Sequence, residues 1–115
     1  MKTKHASISD EALELVAGRF RILGEPMRLR ILRALRDEER SVWELVGEIG
    51  AGQANISKHL GLMLEAGVVA RRRAGLEARY SIADPSVLEL CDIVCSGLSR
   101  RLAAQQQSVR FFARH

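Results

Sequence analysis

No apolar run in these 115 residues approaches the roughly 20 that a membrane-spanning helix needs. Behind Lys2 and Lys4 there is no apolar stretch long enough for a signal peptide. No membrane partner is therefore expected, and the expected location is cytoplasmic. Cysteine is scarce: Cys91 and Cys95 stand four residues apart in one segment, a poor arrangement for the structural disulfide of a secreted domain. Both thiols are expected to be reduced at rest. No glycine-rich phosphate loop, His-Glu-x-x-His site or nucleophile-and-base motif occurs, which argues against an enzyme. With no repeat, low-complexity segment or linker, the length fits a single domain over residues 1–115.

What is present is an ordinary soluble balance of 47% hydrophobic and 28% charged residues, which argues against disorder. The net charge of +4 and pI near 9.7 permit a polyanionic partner. The basic excess is concentrated. Between Ala51 and Ala83 the bases Lys58, Arg71, Arg72, Arg73 and Arg79 face only Glu65 and Glu77. The arginines spread between Arg19 and Arg40 read as solvated helix faces, and the run Arg36 to Arg40 as a solvated corner.

Helical periodicity begins after Ser9, an N-cap, with Leu13, Val16, Phe20 and Leu23 on one face and Ile8 placed to staple against Leu13. Gly24 ends that helix. Pro26 suits the first turn of a second one, whose core face is Met27, Ile31, Ala34 and Leu35. Ser41-Val42-Trp43-Glu44 reads as a capping box opening a short third helix to Ile49. Gly50-Ala51-Gly52 is a tight turn. A fourth helix then buries Ile56, Leu60, Met63 and Leu64, and Gly67 stops it. Val68 to Arg73 and Glu77 to Ile82 are β-compatible runs about Ala74-Gly75-Leu76, a hairpin of wing size. Asp84-Pro85 is expected to cap a long fifth helix, about residues 85–110. Along it Leu88, Cys91, Cys95, Leu98, Leu102, Gln105, Val109 and Phe112 alternate steps of three and four, a heptad-like seam that wants a partner helix.

The expected fold is therefore mainly α with a small β-hairpin: a winged helix-turn-helix of five helices. In that fold the second helix of the motif presents its N-terminal side chains to base edges in the major groove. Gln53, Asn55, Ser57, Lys58 and His59 crowd that position, and Gln or Asn can pair bidentately with adenine while Lys58 meets guanine or phosphate. Arg71, Arg73 and Arg79 lie on the hairpin as candidate phosphate contacts, with Arg71 and Arg73 on one face. The bland alternative for such residues is a solvated surface or a guarded edge strand. A winged helix can also serve as a protein-interaction module, whose binding would not fall steeply with salt.

Three segments carry a resemblance: Phe20-Arg21-Ile22-Leu23-Gly24-Glu25-Pro26-Met27-Arg28-Leu29-Arg30-Ile31-Leu32, Gln53-Ala54-Asn55-Ile56-Ser57-Lys58-His59-Leu60 and Glu65-Ala66-Gly67-Val68-Val69. Together they resemble the ArsR/SmtB family of winged-helix repressors, over about Leu13 to Leu102. The resemblance implies a homodimer through the first and last helices, with Leu88, Leu98 and Leu102 on the seam. It also implies double-stranded operator DNA near its own gene as partner, and release by a metal or thiol signal.

The family's sensor sites are incompletely matched. Members that bind thiophilic metals through a Cys-x-Cys-type motif carry it on the third helix, where this chain has Glu44-Leu45-Val46-Gly47-Glu48. Of the zinc ligands found on the last helix in another subgroup, Asp92 matches, but Val94 stands in the histidine position and the distal ligands are missing. What remains is Cys91 and Cys95, one helical turn apart on the seam. Such a pair can share a soft ion, supply two of the three sulfurs arsenite prefers, or give four with a partner's pair; oxidation or persulfide bridging is another route. Reactive-sulfur sensors of the family usually take one cysteine from an earlier helix, and none is present there. The alternative is that both thiols are small apolar residues packing the seam of a repressor without inducer. His5 and His115 stand near the termini as further candidate ligands.

Overall fold

Ser9 turns the chain into its first helix, α1 (Asp10–Leu23): its backbone is extended and its Oγ accepts the Ala12 amide at 3.1 Å. The molecule is described here by a computed structural model covering residues 7–105. Gly24 closes α1, and Glu25 caps α2 (Pro26–Ala34) by accepting the Arg28 amide on Oε1 at 3.0 Å. Pro26 occupies the first helical position, where no amide is needed. More of α2 is buried than one stripe. Leu32 joins Ile31, Ala34 and Leu35 in the core because α2 packs on α1, α3 and α4 together.

The run Arg36 to Arg40 is not wholly a solvated corner. Arg40 and Ser41 form a two-residue strand, β1 (Arg40–Ser41), that local sequence does not reveal. The Arg40 guanidinium meets Glu38 at 3.5 Å and Glu48 at 3.3 Å. After α3 (Val42–Ile49) and α4 (Gln53–Glu65) come β2 (Val69–Ala74) and β3 (Glu77–Ile82), joined through Gly75-Leu76. Gly75 has φ 67°, a left-handed conformation that a tight hairpin turn requires and that glycine adopts freely. The sheet is antiparallel with order β1-β3-β2, and its register pairs Val69 with Ile82 and Ala74 with Glu77. The arrangement is a winged helix-turn-helix with five helices among the described residues.

The cap of the last helix, α5 (Ser86–Ala104), falls on Pro85, one residue later than Asp84. The Asp84 carboxylate receives Arg19 Nη1 at 3.2 Å. The chain divides after Asp84 into two compact units, α1 to β3 and α5. The helix-turn-helix and wing lie wholly in the first. Leu23, Ile31, Leu32, Ala34, Leu35, Leu45, Ile56, Leu60, Met63, Val68 and Val69 are its buried apolar residues. On α1, Leu13, Val16 and Phe20 stay exposed, as do Val94 and Leu98 on α5. No described helix is long and apolar enough to cross a membrane.

Candidate nucleic-acid interface

The helix-turn-helix is fixed by local chemistry. Ser41 Oγ accepts the Glu44 amide at 3.2 Å while Glu44 Oε1 accepts the Ser41 amide at 2.9 Å, the reciprocal capping box. At the other end of α3, Gly50 takes φ 80° and donates its amide to the Val46 carbonyl at 2.8 Å. The chain can then turn into α4 within two residues. Gly52 opens α4 in extended conformation and, having no side chain, leaves the first-turn amides without a side-chain acceptor.

Inward, Ile56, Leu60 and Met63 anchor α4 with no exposed surface. Outward, Gln53, Asn55 and Lys58 are exposed, and Ser57, half-buried, accepts Gln53 Nε2 on its hydroxyl at 3.3 Å. His59 departs from the expected base-reading set. It is only 6% exposed, and its Nδ1 sits 3.2 Å from Arg28 Nη1. Its position three residues after Ile56 and one before Leu60 turns it toward the core stripe.

The wing arginines divide by strand alternation. Arg71 and Arg73 are exposed on one face of β2, with no ion-pair partner found among the described residues. Arg72 lies on the other face, directly opposite Arg79 in the register. Two like charges in that relation repel. The Glu39 carboxylate compensates both, accepting Arg72 Nε on Oε2 at 3.0 Å, Arg72 Nη2 on Oε1, and Arg79 Nε on Oε1 at 3.1 Å. Arg79 further reaches Glu44 Oε1 at 3.0 Å and Glu77 Oε2 at 3.1 Å, and its side chain is 21% exposed. Arg79 is thus a brace between the wing and the start of α3, rather than the phosphate contact expected from its charge. Apart from Glu77, its partners lie 35 and 40 residues away in the chain, and no local pattern announces them.

The guanidinium of Arg72 and the other contacts of Glu39 hold its carboxyl below the ordinary 4.5. The Ser41 amide first, then Arg79, does the same for Glu44. Glu25 is lowered chiefly by the Arg28 amide. A carboxyl lowered by folding binds its proton less readily in the native state, so its contribution is present above the unfolded value and lost as pH falls through the native one. The thermal midpoint, followed by circular dichroism, should stay level from pH 7 to about 5 and drop below about 4.5. Glu39→Gln should start lower and fall less steeply.

On α5, Cys91 is half-buried and Cys95 exposed, and neither is in a disulfide. Leu88 and Leu102 are half-buried and Leu98 is exposed. Among the described residues no group of three or more His, Cys, Asp or Glu is placed to hold a metal ion. Val109, Phe112, His5 and His115 lie outside the described residues.

The family model of the bacterial regulatory proteins of the arsR family matches residues 25–71, which span α2, α3, α4 and the start of β2. The uncharacterized HTH-type transcriptional regulator Rv0081 of Mycobacterium tuberculosis is 41% identical over 83% of this chain and 84% of its own. Its crystal structure superposes with a TM-score of 0.75, at 40% identity, covering 84% of this chain and 98% of that one. A probable mercury resistance operon repressor of Streptomyces lividans is 39% identical over 62% of this chain and 57% of its own. The transcriptional repressor BigR from Xylella fastidiosa, 28% identical, superposes with a TM-score of 0.71 over 83% of this chain and 95% of that one.

Proposed function

Since this chain belongs to the arsR family of bacterial regulatory proteins, we propose that it is a dimeric repressor that reads operator DNA with α4 and grips flanking phosphates with its wing. One observation carries the reading: the exposed Gln53, Asn55 and Lys58 at the start of α4, in the same unit as two wing arginines, Arg71 and Arg73, with no acidic partner among the described residues. Amides without a side-chain cap at the N-terminus of α4 add partial positive charge where a phosphate would lie. Asn55 and Gln53 supply paired donor and acceptor for an adenine edge, and Lys58 a point charge for guanine or phosphate. Ser57 orders Gln53. His59 and Arg79 support the surface from behind.

The dimer assigned here uses the exposed apolar faces of both outer helices: Leu13, Val16 and Phe20 on α1, and the seam of Leu88, Leu98 and Leu102 on α5. Two copies then present α4 to successive major grooves, about one helical turn apart. The whole chain acts as one domain, with residues 85–110 as its dimerisation arm, in the cytoplasm.

Sensing is assigned to Cys91 and Cys95. One chain offers two sulfurs, so a soft two-coordinate ion fits within a chain, and a four-sulfur site needs the partner's pair. Any bond made to those thiols changes the packing of the seam, and a shift of about 1–2 Å at an interface is enough to alter the spacing of two reading helices.

The test is binding of the reduced protein to DNA from its own upstream region, repeated with arsenite, zinc, copper and a peroxide or persulfide donor. One of these agents should weaken wild-type binding at least about tenfold, a coupling of ordinary size, and leave the Cys91→Ser, Cys95→Ser protein unmoved. If that variant responds as wild type does, the thiol assignment is wrong and the repressor assignment stands. Tight binding that ignores every agent would mark a repressor without a thiol signal.

A further inference from the structure

Arg28 sits where three elements meet. Its Nε donates to the Ile22 carbonyl at 2.6 Å and its Nη2 to the Arg21 carbonyl at 3.4 Å, which also accepts the Gly24 amide, so it helps close the last turn of α1. Its amide donates to Glu25 Oε1, the cap of its own helix α2. Its Nη1 points to Nδ1 of His59, in the middle of α4. Guanidinium nitrogens only donate, so in this contact Nδ1 of His59 is the acceptor and the ring proton is placed on Nε2. The charged and titratable groups facing the ring are Arg28 and, through its charge, Glu25.

A second arginine makes a parallel connection. Arg19, on α1, donates Nη2 to the Ala66 carbonyl at 3.2 Å, at the C-terminal cap of α4, and Nη1 to Asp84 at 3.2 Å. A cation suits that end of a helix. Thus α4 is tied to α1 at mid-length through Arg28 and His59, and at its far end through Arg19. Neither tie touches the face that carries Gln53, Asn55 and Lys58.

We propose that Arg28, acting through His59, and Arg19, acting through the Ala66 carbonyl, are positioning residues that fix the DNA-reading helix to α1. The inference rests on the DNA-binding reading above and adds what sets the helix. Because α1 also bears the exposed apolar face of Leu13, Val16 and Phe20, a displacement of α1 at the subunit interface is carried to α4 through these ties. The wing has its own brace in Arg79, so the two reading elements are held independently.

The experiment compares His59→Asn with His59→Leu in the full chain. An asparagine oxygen can stand near the position of Nδ1 and accept from Arg28, whereas leucine fills space and leaves Nη1 without that acceptor. Affinity for the upstream duplex should stay within about threefold of wild type in His59→Asn and fall about tenfold in His59→Leu, the effect of losing the tie between Arg28 and α4. Equal loss in both variants, or none in His59→Leu, overturns the proposal.

Nitrogen NMR of the imidazole decides the same point without DNA and, in the wild type, without a substitution. At pH 7 the wild-type ring should show a bare Nδ1 and a protonated Nε2, and Arg28→Lys should lose that fixed pattern. A protonated Nδ1 in wild type, or an unchanged pattern in Arg28→Lys, contradicts the tie. Should wild type show the expected tautomer but bind no DNA, the functional reading fails and the Arg28–His59 tie survives.

Discussion

Alanine at both Arg71 and Arg73 is expected to weaken operator binding by on the order of 100-fold at 0.1 M salt and to flatten its salt dependence. Each phosphate neutralised contributes about −0.9 to the slope of log K against log salt, and a dimer loses up to four such contacts at once. The slope should therefore fall by about two to four. Arg79→Ala makes a useful contrast. With Glu39, Glu44 and Glu77 around it, Arg79 has no spare charge for a phosphate. Its removal should lower the thermal midpoint, by freeing the wing and leaving Glu44 and Glu77 without their guanidinium while Glu39 keeps Arg72, and the slope should change by less than for the paired Arg71 and Arg73 substitution. Equal flattening by both variants would return Arg79 to the DNA surface.

Phe20→Asp is expected to convert the protein from dimer to monomer at micromolar concentration, weakening association on the order of 100-fold, as for a central interface residue. Within one chain Phe20 is 53% exposed, so the aspartate disturbs little of the subunit core. In the dimer it would place a carboxylate from each copy against apolar surface, a buried charge without a partner. Sedimentation velocity reads the mass, and far-ultraviolet circular dichroism should remain that of the wild type. DNA affinity should fall as well, since the two reading helices would no longer be linked. A Phe20→Asp protein that stays dimeric would remove α1 from the interface.

What could be read from the sequence was what is local. The Ser9 cap, the reciprocal Ser41 and Glu44 box, the left-handed Gly50 and the Gly75 turn each depend on residues within a few positions, and all form. Periodicity found Ile31, Ile56, Leu60 and Met63 because one inward stripe is all a helix on the edge of a core needs. It missed Leu32, since α2 is covered from several sides. It could not see β1, two residues long and defined only by its pairing with Tyr80 and Arg79 of β3.

The candidate surface divided in the same way. Asn55 and Lys58 are exposed because the helical period turns them away from Ile56 and Leu60, and Gln53 because it is the first residue of α4. The contacts of His59 and Arg79 are not legible in sequence because they are set by partners 31 and 40 residues away, Arg28 and Glu39. For the same reason Arg19 and Arg28 looked like solvated cations, although each ends on a carbonyl and a second partner from a distant element. An arginine's charge is legible in sequence, but the acceptor that uses it is a property of the fold.

The most direct test of the central claim is a fluorescence anisotropy titration of the reduced wild-type protein on a labelled duplex from its own upstream region, against a scrambled duplex, between about 50 and 200 mM salt. The account predicts binding to the upstream duplex tighter by about 1,000-fold or more, falling steeply with salt as phosphate contacts require. Equal affinity for both duplexes, or binding indifferent to salt, would contradict it.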